Sequence, residues 1–333
     1  MKQKNLLYIL LTARCPLSCS FCMTKHLHRD EDLELNEIAL RSLYNLSAVS
    51  YKVCLSGEGD PLVKWESILQ IIESNPENIH YELITSSFWN ESRTEEFLKT
   101  LSSLCTQKNS TLAYRISIDE FHEKEINRDV LEILVSIFLK NDLKNLTLQI
   151  RSLTGQEDYL FDRLKQLFTS YDMPFSINQH NEIEYKLTTE KVCIEMQFKP
   201  AVNPERFDYT DEWHLDKYVG FLEKNRNSPF HLGLLNSSVL NPIFDIAVNP
   251  NGDVVLYGVE PFILGNITKE VFDYELIKKR VTENVELHNL VSRRFTELIQ
   301  TWREDKHKAE LIEKVNNPFW VVRYLNDENL LHN

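Results

Sequence analysis

Apolar positions along the chain follow two spacings in turn. Asn5 to Leu11, Tyr51 to Leu55, Tyr81 to Thr85, Leu112 to Ile118 and Leu146 to Ser152 are short runs, mostly apolar, as expected of strands covered on both faces. Between them apolar residues recur three and four apart. In 34–48, Ile38, Leu40, Leu43, Tyr44 and Leu46 share such spacing, and Trp65 to Glu73, Val130 to Leu139 and Tyr159 to Tyr171 also read as helices. A capping box, Ser92-x-x-Glu95, predicts the start of another. Phe175 to Ile177 reads as a sixth strand. Six strand–helix units imply parallel strands joined by right-handed crossovers, an α/β fold built as a partial (β/α)6 TIM-like barrel.

Near residue 200 the pattern changes. FKPAVNPERF is Pro-rich and polar, and IFDIAVNPNGDVVLYG places Asn251 and Gly252 between two alternating segments, a hairpin signal. From Lys269 to Asn333 the chain is charged and helical, and its aromatic end NPFWVVRYL is expected to pack against the barrel. The division predicted is residues 1–200 for the barrel and 201–333 for a small α+β C-terminal cap.

Charge and composition narrow the function. Lys plus Arg number 37 against 50 Asp plus Glu, a formal charge of −13, which argues against a nucleic-acid phosphate surface. With 8 glycines and no GxGxxG or GxxxxGK[ST], dinucleotide and P-loop phosphate cradles are excluded. The N-terminal run LLYILL is too short for a secretory signal, Arg14 spoils a lipoprotein reading of LLTARC, and no apolar stretch approaches a membrane span. A cytoplasmic protein without membrane or nucleic-acid partners is expected. Of six cysteines, Cys15, Cys19 and Cys22 fall within eight residues, a placement that suits a metal centre better than a disulfide framework.

CPLSCSFC is C-x3-C-x2-C, three thiolates from one loop. A cubane of four irons held by three cysteines keeps one iron open to a non-protein ligand, whereas structural zinc would recruit a fourth ligand such as His26 or His28. The motif directly follows a first strand and has an aromatic residue, Phe21, before its last cysteine. In this it resembles the radical S-adenosylmethionine (radical SAM) superfamily.

That resemblance implies a [4Fe–4S] cluster on Cys15, Cys19 and Cys22, with S-adenosylmethionine (SAM) as the second cofactor. After strand two, LSGEGDPL is similar to the family's GGEP motif, whose backbone and carboxylate hold the methionine ammonium; Gly57 and Glu58 take those roles, with Ser56 in place of the first glycine. After strand three, Ser86 stands where the family carries a T-N-G-like segment near the SAM carboxylate, although a helix N-terminus explains it equally. After strand four, Ser117 and Asp119 resemble the S-x-D pair that contacts the ribose; a capping Asp is the alternative. Arg151 in strand five would pair with the SAM carboxylate, or form an ordinary internal salt bridge. The hairpin and LGNI at 264–267 resemble a SPASM/twitch extension, here degenerate because no cysteine follows Cys193.

The implied chemistry is reductive cleavage of SAM to a 5′-deoxyadenosyl radical that abstracts a hydrogen atom from substrate. Without an auxiliary cluster to accept a second electron, a redox-neutral outcome is expected: epimerisation, rearrangement, elimination or C–C bond formation. Cys193, beside the cap junction, is the candidate hydrogen-atom donor among the other thiols. The expected substrate is a small molecule or natural-product intermediate, with a ribosomal peptide second, and the expected electron source is a one-electron reductase such as flavodoxin or ferredoxin. A zinc or iron–sulfur binding module without catalysis is the remaining alternative.

Overall fold

The structure, a computed structural model, describes residues 5–19, 22–126, 129–203, 209, 212–234 and 242–331. Among the described residues eleven strands form one sheet: β1 (Leu6–Leu10), β2 (Lys52–Ser56), β3 (His80–Thr85), β4 (Thr111–Ser117), β5 (Leu146–Leu153), β6 (Ser176–Asn181), β7 (Glu184–Thr188), β8 (Cys193–Lys199), β9 (Ile246–Val248), β10 (Asp253–Leu256) and β11 (Gly265–Asn266). Their spatial order is β11-β10-β9-β1-β2-β3-β4-β5-β8-β7-β6, so the sheet does not close on itself. The run β9-β1-β2-β3-β4-β5-β8 is parallel throughout.

Helices cover the outer face as the parallel pattern requires, α1 (Glu37–Val49), α2 (Trp65–Ser74), α3 (Glu91–Gln107), α5 (Val130–Lys140) and α6 (Glu157–Ser170), whereas the short α4 (Glu120–Glu125) buries no residue of its own. Side chains alternate along each strand. On β4, Leu112, Tyr114 and Ile116 pack into the core shared with Leu98 and Leu101 of α3, whereas Arg115 and Ser117 line the concave side. The start of α3 differs from the expected capping box. Asn90 is its cap, accepting from the Arg93 N–H at 3.0 Å, and Ser92 lies within the first turn.

Two corrections concern the end of the barrel. The segment at 175–177 opens β6, which pairs antiparallel with β7 at the sheet edge. The sixth parallel strand is β8, which the sequence pattern does not predict and whose last residues, Phe198 and Lys199, open the Pro-rich segment FKPAVNPERF. The hairpin of β9 and β10 forms as expected, with Gly252 at φ +85° in its turn. It joins the same sheet, however, through parallel pairing of β9 with β1. The sheet therefore continues past residue 200 without a break. Six further helices follow: α7 (Leu215–Arg226), α8 (Tyr274–Glu283), α9 (Val285–Ser292), α10 (Phe295–Arg303), α11 (Lys306–Ile312) and α12 (Pro318–Asp327). No helix among the described residues is long and apolar enough to cross a membrane.

Candidate active site

The carboxyl ends of the parallel strands open into one cavity of about 930 Å3, at the upper end of small-molecule sites. In parallel α/β folds this is where loops after each strand converge. Here the loop after β1 brings Cys15, Cys19 and Cys22, that after β2 brings residues 57–61, that after β3 brings Ser86, and that after β4 brings Asp119 and His122. Arg151 of β5 and Lys199 of β8 complete the inner wall, and Tyr257, Phe319 and Arg323 close it from the C-terminal part of the chain.

The cysteine loop is tied at its neck. Leu33 N–H donates to the Leu11 carbonyl at 2.9 Å and Ala13 N–H to the Glu31 carbonyl at 2.8 Å. Across this neck the Asp32 carboxylate accepts from Thr12 Oγ1 at 2.6 Å and Arg14 Nε at 3.0 Å. The neck is bound in turn to the loop after β2, because Gly59 N–H reaches the Thr12 carbonyl and Asp60 N–H the Arg14 carbonyl, both at 3.0 Å. A Cβ on Gly59 would stand 1.9 Å from the Arg14 carbonyl oxygen, so only glycine permits this approach.

All three cysteines are half-buried free thiols. Burial, and then Cys22, Glu125 and Cys15, push the Cys19 thiol up to about 11; burial likewise raises Cys15. That is the expected state of neighbouring thiols without a cation, which reverses when a metal binds them as thiolates. Among the described residues no three His, Cys, Asp or Glu side chains are already gathered around one point. His28 Nε2 lies 3.9 Å from Cys22 Sγ and 3.1 Å from the Glu58 carbonyl. Phe21 lies outside the described residues.

Glu58 and Asp60 exchange prominence. The Glu58 carboxylate is buried and held by Arg29 at 2.6 Å and Arg323 at 3.6 Å. Asp60, the acid directly before Pro61, is buried against the next loop. It accepts from Thr85 Oγ1 at 2.8 Å, Ser86 N–H at 2.8 Å, Ser86 Oγ at 2.5 Å and Leu62 N–H at 3.0 Å. Burial raises its pKa despite these donors. Reading the segment from its proline would have singled out Asp60, since GGEP also ends acid-proline. Asp119 caps α4 through the Phe121 and His122 N–H groups while its other oxygen meets His122 Nδ1 at 2.6 Å, so the capping alternative is realised with the residue still on the cavity wall.

A charged platform forms the cavity floor. Glu82 Oε2 accepts from Arg115 Nη1 at 2.9 Å, and Lys52 Nζ lies 3.3 Å from Oε1. Burial would raise the Glu82 carboxyl, but Arg115 and Lys52 outweigh it and hold the group well below the usual carboxylate range. Tyr8 and Tyr257 stack above at 4.2 Å between ring centroids. Among the described residues Arg151 makes no salt bridge, the alternative role for it; its Nη2 donates to Gln197 Oε1 at 2.8 Å and its buried Nε has no hydrogen-bond partner there. Cys193 is a correction. It begins β8, whose opposite end carries Lys199, about 20 Å away in an extended strand, and it does not line the cavity. Sequence reading missed Asp60, Glu82, Lys199 and the α12 face of Phe319, Trp320 and Arg323; a polar residue inside an apolar strand was the available signal for Glu82.

Residues 9–140 match the sequence profile of the radical SAM superfamily. No curated protein matches the chain. Among solved structures, the chain is similar to native anSMEcpe with bound AdoMet and Cp18Cys peptide, at 15% identity and a TM-score of 0.54, over 98% of this chain and 99% of that one. It is also similar to a hexahistidine-tagged form of anSMEcpe with bound AdoMet, at 16% identity and a TM-score of 0.51, over 90% and 87%. At such identity the likeness is one of fold. The matched segment thus belongs to the radical SAM superfamily, in an unclosed α/β sheet of partial-barrel type. That superfamily implies a [4Fe–4S] cluster and S-adenosylmethionine as cofactors. The residues present fit them: three thiols on one cavity wall, beside a glycine loop with no room for a side chain.

Proposed function

We propose that the chain is a single-cluster radical SAM enzyme acting by hydrogen-atom abstraction on a small-molecule or natural-product substrate, with a redox-neutral outcome. The observation that carries this reading is the convergence of Cys15, Cys19 and Cys22 with Asp60, Ser117, Asp119 and Arg151 on one cavity. When bound, the cluster and SAM supply a 5′-deoxyadenosyl radical on one-electron reduction.

The protein's part is to bind, orient and exclude. Cys15, Cys19 and Cys22 hold the cluster as thiolates. The stretch Gly57–Asp60 offers its main chain and the Asp60 charge to the methionine ammonium, with Ser86 fixed beside it; Glu58 acts through Arg29 and Arg323 on the shape of the loop. Ser117 and Asp119 face the ribose, and Arg151, with no acid at salt-bridge distance among the described residues, faces the carboxylate. The wall from Tyr257 and α12 keeps water from a reactive radical. The likeness to anSMEcpe, described with a bound peptide, supports a peptide as the second reading. Residues 1–200 carry the cofactors and 201–333 complete the wall. A reducing, cytoplasmic setting with flavodoxin or ferredoxin as electron donor suits six free thiols and a low-potential cluster.

The test is anaerobic reconstitution with iron and sulfide, followed by SAM and dithionite. About four irons per chain and 5′-deoxyadenosine formation, both lost in Cys19→Ala, are expected. Bound zinc, or a cluster that leaves SAM intact, would refute the enzyme reading in favour of a metal-binding module.

A further inference from the structure

Beyond the SAM subsite, the cavity wall formed by β5, β8 and α7 holds more positive charge than a single SAM carboxylate can neutralise. Lys199 Nζ donates to the Tyr218 hydroxyl at 2.9 Å. Arg151 and Arg226 act electrostatically on that same hydroxyl, and all four residues line the one cavity. Among the described residues no carboxylate lies within salt-bridge distance of Arg151, Lys199 or Arg226, in contrast to Arg115, which has Glu82; Asp245 and Glu223 act on Arg226 from beyond that distance and accept from the Leu6 and Phe230 N–H groups. Among the described residues the buried Nη2 of Arg226 and Nε of Arg151 have no hydrogen-bond partner. Arginine cannot shed its proton to escape such a setting, so a buried guanidinium N–H left without an acceptor is costly until an anion arrives.

We propose that Lys199 and Arg226, with the Tyr218 hydroxyl to which Lys199 donates, bind an anionic group of the substrate, a carboxylate or a phosphate, at the cavity wall formed by β5, β8 and α7. The proposal rests on the reading of the cavity as a radical SAM site, with Arg151 given to SAM. Placement supports it. Lys199 ends β8, at the carboxyl edge where ligands of parallel sheets sit. Arg226 ends α7, and its guanidinium lies 4.9 Å from the Phe230 ring centroid, which fixes it on an apolar support. The remaining charges facing Lys199 are Arg115 of β4, Arg151 of β5, Glu82 of β3 and Glu184 of β7. Glu184 is engaged by the Gln197 side chain at 2.6 Å, and Glu82 by Arg115 and Lys52. Burial first, and then Arg151, lower the Lys199 pKa to about 7, a state that a bound anion would reverse.

The test uses SAM-saturated, cluster-loaded protein, so that the SAM carboxylate is already seated, and titrates inorganic phosphate and acetate by calorimetry. Wild type is expected to bind one of them at a single site, the preferred anion naming the substrate group. Lys199→Gln and Arg226→Gln are each expected to weaken it at least about tenfold, with Lys199→Arg close to wild type and SAM affinity unchanged in all three. Should the glutamine variants fail to fold, the acetate affinity of wild type decides: above pH 8 it falls towards about tenfold per pH unit, as Lys199 loses its proton. Neither anion binding at millimolar concentration, binding unaltered in the folded glutamine variants, or a flat pH profile would overturn the proposal. Iron content and 5′-deoxyadenosine are read on the same samples. Lys199-dependent anion binding without SAM cleavage would sink the enzyme reading and keep this site; the reverse would sink this site alone.

Discussion

A methyl group at residue 59 has nowhere to go. It would meet the Arg14 carbonyl oxygen at 1.9 Å and the carbonyl carbon at 2.2 Å, both main-chain atoms of the cysteine loop's neck. Gly59→Ala must therefore part the two loops, breaking the Gly59-to-Thr12 and Asp60-to-Arg14 hydrogen bonds. Overpacking of this kind costs about 1–3 kcal/mol or more. We expect a folded protein with a lower urea midpoint and less iron per chain after reconstitution; full iron loading would show that the neck does not position the thiols. Lys199 gives the second prediction at this scale. Its pKa is lowered in the fold from the ordinary 10.5 to about 7, so between those values the unfolded chain binds more protons than the native one. Stability attributable to Lys199 rises from pH 7 towards 10.5 and is lost as pH falls through 7. Its slope is at most about 1.4 kcal/mol per pH unit. Denaturant titrations of wild type against Lys199→Met should show the wild type gaining relative stability over pH 7–10. Parallel curves would mean that Lys199 is not desolvated.

Elements explain both what the sequence discloses and what it conceals. The first five parallel strands are legible because both faces are largely covered, leaving apolar runs such as LLYIL and TLAYRIS. The sixth, CIEMQFK, alternates instead: Ile194, Met196 and Phe198 are buried against the helices, while Gln197 and Lys199 line the cavity. Its polar positions line the cavity, and they break the apolar run by which the other parallel strands are recognised. The edge hairpin of β6 and β7 is concealed for a related reason, since an edge carries exposed polar residues such as Gln179 and His180. The cysteine loop was legible as a motif, but not its neck, which depends on contacts between Thr12, Arg14 and Asp32 that spacing alone does not reveal. Burial works against the Asp32 carboxylate, but the hydrogen bonds of Thr12 and Arg14 prevail and lower its pKa. Its contribution is present at neutral pH and is lost as pH falls below the usual carboxylate range. Asp32→Ala should speed amide exchange at Ala13 and Leu33 while sparing Val53 and Leu55 in β2; equal protection in the variant would locate the neck's stability elsewhere.

At the scale of the whole molecule, a chain read as two parts along its sequence shares one sheet and one cavity. The β9–β10 hairpin extends the barrel sheet beside β1, so Tyr257 reaches Tyr8, and Arg323 of α12 approaches Glu58 from the other side. A cofactor held in that cavity touches walls contributed by both parts of the chain. Binding to the native state alone stabilises by RT ln(1 + [L]/Kd), about 2.7 kcal/mol at a hundredfold excess over Kd. The place where this appears distinguishes the two arrangements. If residues 1–200 and 201–333 open independently, SAM added to the cluster-loaded protein slows exchange only in the strands that follow the cysteine loop. If the shared sheet makes them one cooperative unit, as the pairing of β1 with β9 implies, amides of Val248, Val254 and Val322 slow by a similar factor although they belong to the C-terminal part. We expect the second result by hydrogen exchange. Protection confined to residues before 200 would make the C-terminal part a separable cap.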